Sequence, residues 1–410
     1  VIGGGISGLA AAWTLTQPDQ SRQPSARNVQ PRVTVLEGAA KFGGKLQTTL
    51  FTDLDVDTGP DAFLASSPWA VRLCKQLGIA DDLVSPAQQS AWLWSRGKLS
   101  RFPKQSLLGI PDGLRTLVSS EILRPHEVAR AGLDYLMPRS VGREWDDPTV
   151  GRVLGRRMGR EFVERIIDPL IGGINAASAD DLSLAAAVPT LADALQQSHS
   201  VMFAARKRLR ARAELPQSPT FLTPKGGLST LVNALVAQLG DRGVTLRNRI
   251  RVERLEKTNT GWVIHTSDGR PMDADAVILT VPTHNASPLL KNLAPDASTA
   301  MADIRYATVS MIRLAYATAN VPRPLNGSGY VAAAKDGGLL TACSWASAKW
   351  EHLERPGQVV FRASAGRMND PRADDLTDEE LIGVAHIELQ ASLGIKRRPF
   401  QADVTRWVQS

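Results

Sequence analysis

The chain has 410 residues, 43% apolar and 22% charged, a globular balance that excludes a disordered or fibrous protein and suggests two or three domains. Only two cysteines, Cys74 and Cys343, are present, which excludes a disulfide scaffold or a cysteine-based zinc cluster and favours a reducing, cytoplasmic compartment. No apolar run reaches the roughly 18 residues of a membrane-spanning helix, and 48 Lys+Arg against 41 Asp+Glu leave a net charge of +7, suited to acidic small molecules, anionic lipid surfaces or nucleic acid, or else to solubility alone.

The chain opens at Val1-Ile2-Gly3, already strand-like, and stops just after an apolar pattern begins at Val404, so it reads as a fragment of a longer protein. Gly3, Gly5 and Gly8, with Gly4, Ile6 and Ser7 between them, have the G-x-G-x-x-G spacing. The first glycine permits a tight strand-to-helix turn, the second lets backbone approach a pyrophosphate, and the third lets the helix pack against the strand. The helix N-terminus then offers free N–H groups and a positive dipole end to phosphates. A second strand is expected over Arg32–Leu36, ending at Glu37, whose carboxylate suits ribose hydroxyls. The gap between the two is longer than the usual ~20 residues because Gln17–Pro31 reads as a solvent loop. Phe42-Gly43-Gly44-Lys45 and Asp57-Thr58-Gly59-Pro60-Asp61-Ala62-Phe63 follow, and this pair resembles the FAD-binding front of the flavin amine oxidase superfamily. In that superfamily the Gly-Gly segment lies along FAD and the Gly-Pro turn approaches the flavin.

Further along, Ser67-Pro68 is expected to start a helix, with serine as N-cap, that Gly78 ends. Trp92-Leu93-Trp94 and Arg96-Gly97-Lys98-Leu99 predict a hairpin. Residues 104–204 show no convincing strand and read as helical. Arg206, Lys207, Arg208, Arg210 and Arg212 carry no acid among them and read as a solvated connector, or alternatively as an anion-facing lip or membrane-surface contact. Lys225-Gly226-Gly227-Leu228 opens a helix with apolar residues at 228, 231, 232, 235, 236 and 239, expected to be capped by Gly240. Short strands are expected near 244–246, 251–255 and 262–265, a buried strand over Ala274–Pro282, and mixed strands over 300–365.

Four more segments carry a resemblance over essentially the whole chain. They are Leu107–Pro111; Glu161–Leu170 leading into Gly172-Gly173-Ile174-Asn175-Ala176; Asp180–Leu184 through Pro189; and Lys225–Leu228. Together they resemble the oxygen-dependent protoporphyrinogen oxidase family, which includes the bacterial coproporphyrinogen III oxidases, with Asn175 where the family commonly has Tyr. The resemblance implies an α/β plus α fold of the p-hydroxybenzoate-hydroxylase-like, amine-oxidase-like type. Its discontinuous Rossmann-like FAD domain covers 1–88 and 223–285, with its C-terminal part from about 404 cut short. A mixed-sheet substrate domain covers 89–103, 205–222 and 286–403, and a helical domain covers 104–204.

The implied FAD contacts are Gly3, Gly4, Gly5, Ile6, Ser7, Gly8, Glu37, Gly44, Lys45, Gly59, Pro60, Asp61, Ala62, the backbone of Val252, and Trp407, with the family's last FAD motif expected beyond Ser410. The implied activity is oxidation of a porphyrinogen to a porphyrin, with O2 giving H2O2, in heme biosynthesis. No essential side-chain nucleophile or metal is expected, because the flavin carries the chemistry. Lys98, Arg101 and Lys104 are candidate cations for substrate carboxylates, and Trp92 and Trp94 could line an apolar slot, although alternating strand tryptophans are more often core. The family's plant-type arginine at the first strand of the hairpin falls at about Ala91, which leans the choice toward the four-carboxylate coproporphyrinogen III. The resemblance leaves open a peripheral contact with the inner membrane face, a transient contact with ferrochelatase, and a monomer or a homodimer; no nucleic-acid partner is expected. Rival readings are an amine oxidase or carotenoid desaturase sharing the same FAD front, and a non-enzymatic flavin-fold scaffold.

Overall fold

The computed structural model describes residues 1–17, 31–103, 106–138, 147–213 and 219–409, and the chain divides into two compact units, Val1–Ser85 with Thr220–Tyr306 and Pro86–Pro219 with Ala307–Ser410. The loop expected over 17–31, apart from its ends, and Lys104 lie outside the described residues, as does the side chain of Arg212.

The first unit is built around short parallel pairings. Ile2 bridges both Leu36 and Leu279, and strand Thr34–Leu36 pairs in parallel with Thr245–Arg247. Helix Ile6–Leu15 returns across this layer beside helix Ser229–Asp241, and Leu9, Trp13, Val35, Leu231, Leu235 and Leu239 close the core between them. The 228–239 apolar spacing thus does what its period requires: Leu231, Val232, Leu235 and Leu239 are buried. A three-stranded meander, Val252–Lys257, Trp262–Thr266 and Met272–Ala274, packs with helix Thr283–Leu290 on a separate small core that includes Ile2 and Leu36.

The second unit has a seven-stranded sheet in the order Gln401–Trp407, Val309–Ala317, Gln358–Ala365, Leu340–Ser344, Gly329–Ala332, Ala91–Ser95 and Lys98–Arg101. Its pairings are antiparallel except that between Gly329–Ala332 and Ala91–Ser95. Helix Asp378–Leu393 covers one face, where Ile312, Leu314, Tyr316, Phe361 and Ala363 meet Leu381, Ala385 and Leu389. Thr377 and Glu380 form a capping box at the start of that helix, and Gly394, at φ +72°, stops it. On the opposite face Leu93 and Val331 pack into a helical layer built from Leu117, Leu154, Ile166, Leu191 and Met202.

A ten-residue π-helix, Val163–Gly172, runs through this layer with Pro169 inside it. Its wide turns accommodate a residue that cannot donate a backbone hydrogen bond. Asp168 on it accepts from the Ala179 N–H (2.9 Å) and pairs with Arg367 (3.0 Å). Buried Arg165 ties the layer to the sheet, donating to Ser95 Oγ (2.8 Å), Asp336 (3.0 Å) and Glu161 (2.7 Å). The Glu161–Leu170 segment therefore holds helices to sheet.

Several expectations are corrected. Residues 104–204 do contain strand: Ser106–Leu107 and Ile110–Pro111 form a minimal hairpin whose turn places Leu108 and Gly109 at φ +52° and +82°. A two-residue strand is too short for an alternating pattern to be read. Ser67 precedes helix Pro68–Gln76 at the cap position, but its side chain makes no capping bond. Helix Ser229–Asp241 runs through Gly240, and the left-handed stop is Gly243, at φ +78°.

Ala274–Pro282 is not a buried strand. After Ala274 it makes one bridge, Leu279 to Ile2, and Ile278 is 37% exposed. The basic run lies within helix Val201–Ala213 rather than in a connector, and its Arg206, Lys207, Arg208 and Arg210 are exposed, as a solvated run requires. Asp134, fully buried, caps that helix from a distance: it accepts from the N–H groups of Val201 and Met202 (3.1 and 3.0 Å), from Ser200 Oγ (2.5 Å) and from Arg157 Nε (2.7 Å). The first unit extends to Tyr306 rather than closing near 285, because helices Thr283–Leu290 and Pro295–Ala302 pair with each other and the first of them docks on Val252–Lys257. The 106–205 helices and the seven-stranded sheet fall in one unit because Leu93 and Val331 enter the helical core.

Candidate functional site

The glycine loop at the start of the chain is shaped by close approaches. Gly3 sits at φ +108°, and a Cβ on it would stand 2.8 Å from Thr280 Oγ1. A Cβ on Gly8 would stand 1.8 Å from the Gly3 carbonyl oxygen, so only glycine lets this helix lie against its strand. Gly5 is different. Its φ of −70° suits any residue, and a Cβ there would meet only Gly44 Cα, at 3.9 Å. Space is left open above Gly5, on the side a ligand would use.

The first intrahelical bond runs from Leu9 N–H to the Gly5 carbonyl (3.0 Å), which leaves the amides ahead of it for a ligand. Ser7 is exposed, Ile6 is half-buried, and the first turn carries no acidic side chain to compete with an anion. Glu37 closes the loop from the second strand, accepting from the N–H groups of Gly4 and Ala39, both at 2.7 Å. Its carboxylate is thus fixed at the strand end rather than free in solvent. The second glycine pair stacks on the first. Gly43 donates to the Gly4 carbonyl (2.8 Å), and Gly5 bridges Gly43. Gly44, at φ +59°, is exposed beside Gly5. Lys45 projects its ammonium to 6.0 Å from the Tyr306 ring centroid and makes no ion pair among the described residues.

The Asp57–Ala62 run divides its labour. Gly59 is buried, Pro60 exposed, and Asp61 and Ala62 half-buried, leading into strand Phe63–Leu64. Asp57 is buried and accepts from Thr48 Oγ1 (2.6 Å) and Leu228 N–H (3.0 Å). Ser229 and Thr48 exchange hydrogen bonds of 2.7 and 3.0 Å, and Gly227, at φ +77°, fits between Thr48 and Asp57, where a Cβ would stand 2.5 Å from Thr48 Oγ1. Sequence reasoning quoted the Asp-Thr-Gly-Pro and Lys-Gly-Gly-Leu runs separately and missed that they lock together. No local signal pairs residues 171 positions apart.

Other expected residues lie elsewhere. The Val252 side chain is buried with Ile2, Leu36 and Leu255 in the small core of the first unit. Trp407 ends the edge strand Gln401–Trp407 of the second unit, opposite Val309. Trp92 and Trp94 pack toward the core under helix Asp378–Leu393, so their rings serve the sheet's packing face. Lys98 pairs with Glu121 at 2.6 Å, both exposed. Arg101 stacks on Trp92 with its guanidinium 4.8 Å from the ring centroid. Among the described residues, no helix is long and apolar enough to cross a membrane.

The model of the family described as flavin containing amine oxidoreductase matches residues 6–410. The chain belongs to the flavin-containing amine oxidoreductase family. Among its relatives is a Bacillus subtilis protein named coproporphyrinogen III oxidase, 30% identical over 415 residues, covering 100% of this chain and 86% of the relative. Another of that name, from Propionibacterium freudenreichii, is 32% identical and covers 99% and 79%. The chloroplastic protoporphyrinogen oxidase 1 of Arabidopsis thaliana is 26% identical and covers 100% and 77%. A solved crystal structure from Exiguobacterium superposes with a TM-score of 0.84 at 25% identity, covering 100% of this chain and 85% of that one. A putrescine oxidase structure shares the fold, with a TM-score of 0.68 at 16% identity, covering 98% and 83%.

The cofactor is FAD. The residues present fit it: the open Gly5 and Gly44 backbones and the uncapped helix N-terminus suit a pyrophosphate, and the anchored Glu37 carboxylate suits a ribose. Lys45, without a carboxylate partner among the described residues, adds a cation next to Gly44 in the chain.

Proposed function

We infer that this protein oxidises coproporphyrinogen III to coproporphyrin III in heme biosynthesis, with O2 as acceptor. The observation that carries the reading is the dinucleotide cradle of Gly5, Gly44 and Glu37, in a chain that matches proteins named for this reaction from end to end. The conversion removes six electrons and six hydrogens from the macrocycle. Bound FAD supplies a two-electron acceptor, so three turnovers are needed, each passing its electrons to one O2 to give one H2O2.

This chain's own residues bind and orient. The amides of the first helical turn and Lys45 hold the anionic part of the cofactor, Glu37 holds its ribose, and Gly5 and Gly44 keep the backbone close enough to do so. Gly59 to Ala62 are the residues we assign to the flavin end, and Val252 and Trp407 remain assigned to cofactor contact through backbone and strand end. No acid–base residue is required of the protein. The four-carboxylate substrate is favoured over protoporphyrinogen IX because, by the family resemblance, the plant-type arginine of the hairpin falls at about Ala91, and a net charge of +7 suits the more anionic macrocycle.

The protein is assigned to the cytoplasm as a monomer or homodimer. The basic helix Val201–Ala213, near exposed Leu136, is the surface for a peripheral membrane contact, and product transfer to ferrochelatase is the transient protein contact.

Supplying coproporphyrinogen III and protoporphyrinogen IX separately in air tests the reading. Porphyrin fluorescence should rise above the enzyme-free rate, faster with the four-carboxylate substrate, with three H2O2 formed per porphyrin. A faster rise with protoporphyrinogen IX reverses the substrate choice. A flavin-loaded protein that accelerates neither sinks the reading in favour of an amine or carotenoid oxidase.

A further inference from the structure

Lys45 is an exposed cation on a flexible stem, with no carboxylate partner among the described residues. Its Nζ lies over the ring of Tyr306, 6.0 Å from the centroid, at the outer edge of the range in which a ring face attracts a cation. Tyr306 is half-buried, is the last residue of the first unit, and belongs to none of the sequence motifs.

The Tyr306 ring is itself held. Its hydroxyl oxygen accepts from the N–H and from Oγ1 of Thr283, both at 3.3 Å. Thr283 opens helix Thr283–Leu290, whose cap residue Pro282 makes no side-chain capping bond, so the phenol satisfies an amide that the helix leaves free. Hydrogen bonds from the Thr283 hydroxyl and amide, against the opposing effect of burial, and then the Lys45 charge hold the phenol below its ordinary value. The His284 ring packs T-shaped on Tyr306, with centroids 5.2 Å apart and planes at 84°.

Both partners are tied to the glycine loop. Thr280, three residues before Thr283, donates from Oγ1 to the carbonyls of Ile2 and Gly3 (2.9 and 3.0 Å). Lys45 follows Gly44, whose Cα would stand 3.9 Å from a Cβ on Gly5. Contacts therefore run from Gly3 through Thr280, Thr283 and Tyr306 to Lys45 and Gly44, and return to the open Gly5. An exposed lysine loses rotamer freedom when it settles on an anion, and a ring that already restricts its ammonium lowers that cost.

We propose that Tyr306 is a positioning residue for the cofactor: pinned by Thr283 and His284, it holds the Lys45 ammonium in place for the anionic part of FAD. This rests on the assignment of Lys45 to the cofactor and is independent of which substrate the flavin oxidises.

The experiment is a fluorescence titration of the flavin-depleted full chain with FAD, at low and high salt. It compares wild type, Lys45→Met, Tyr306→Leu, Tyr306→Phe and the Lys45→Met/Tyr306→Leu pair, each with its flavin-free melting temperature recorded. Lys45→Met should weaken FAD binding about tenfold and reduce its salt dependence. Tyr306→Leu should weaken it about threefold, and Tyr306→Phe, which keeps the ring and loses the hydroxyl, by less. Once Lys45 is Met, Tyr306→Leu should weaken binding no further, because no ammonium remains to be held. A purely structural role for Tyr306 would weaken FAD equally with and without Lys45.

Equal losses in the two backgrounds therefore overturn the inference. So does a Tyr306→Leu or a Lys45→Met protein that binds FAD as wild type does. The chain has four tyrosines, so fluorine NMR of protein labelled with meta-fluorotyrosine gives a readout that survives a misfolded Tyr306→Leu. The Tyr306 resonance, assigned by its absence in Tyr306→Phe, should move in flavin-free Lys45→Met while the other three stay; an unmoved Tyr306 resonance also overturns the inference. A chain with the expected FAD affinities that oxidises neither porphyrinogen removes the substrate reading and keeps the role of Tyr306.

Discussion

Substituting alanine at Gly5 and at Gly8 separates the cradle's two jobs. At Gly8 the new Cβ falls 1.8 Å from the Gly3 carbonyl oxygen, well inside any real contact, and the obstacle is backbone that cannot rotate away. The helix must lift from its strand, and overpacking of this kind costs about 1–3 kcal/mol, or a few degrees in Tm. At Gly5 the new Cβ meets only Gly44 Cα, at 3.9 Å, and φ is already −70°. The flavin-free fold should therefore change by less than about 0.5 kcal/mol. The methyl instead occupies the space the pyrophosphate needs. Displacing one charge-assisted hydrogen bond costs about 2 kcal/mol, which is roughly thirtyfold in affinity. Flavin fluorescence titration and thermal melts of flavin-depleted protein read both quantities. Gly8→Ala should lose Tm and flavin together, whereas Gly5→Ala should lose flavin alone. A Gly5→Ala protein that holds FAD as wild type does would refute the placement of the phosphates over Gly5, and an unchanged Tm in Gly8→Ala would refute the packing argument.

Glu37→Ala removes the acceptor of two amides and the ribose partner, so FAD retention after dialysis should fall by about tenfold or more, while Glu37→Asp keeps part of it. Asp57→Ala leaves Leu228 N–H and Thr48 Oγ1 without their acceptor in a buried position, at a cost of about 1–3 kcal/mol, measurable by urea unfolding. Asp134→Ala uncaps helix Val201–Ala213 and strands buried Arg157, so it should cost about 3–5 kcal/mol; a loss under 1 kcal/mol refutes the capping role. Glu161 is held down to about 2, chiefly by its hydrogen bond from Lys335 and then, against the opposing effect of burial, by Arg165. Its folded-state value lies below its ordinary one of 4.5, so its stabilising contribution is complete above that value and disappears as pH falls toward about 2. Stability between pH 5 and pH 3 should therefore decline less steeply in Glu161→Gln than in wild type.

The cradle was legible because its parts are local. Gly3, Gly5, Gly8 and Glu37 lie on one strand–helix–strand passage, where spacing alone sets geometry. The hairpin at 91–101 and the helix beginning near 229 were equally legible, since a turn glycine and an apolar period are properties of a few consecutive residues. The basic run at 206–212 misled because its helix is capped by Asp134, far away in sequence and without a local N-cap signal. Ala274–Pro282 misled for the opposite reason. Its composition is that of a buried strand, but burial depends on what lies across the sheet, and Ile278 stays 37% exposed.

The amino-acid sequence by itself determined the dinucleotide-binding chemistry, the family, and the reaction class that goes with it, because each rests on short motifs whose backbone demands are local. Only the tertiary structure decided which glycine is needed for packing and which leaves room for a ligand. Only it joined Asp57 to Leu228, Asp134 to Val201, and Lys45 to Tyr306. These pairings depend on folded distances between residues far apart in the chain, and hydrogen bonding and charge act over a few ångströms of space rather than over positions in sequence.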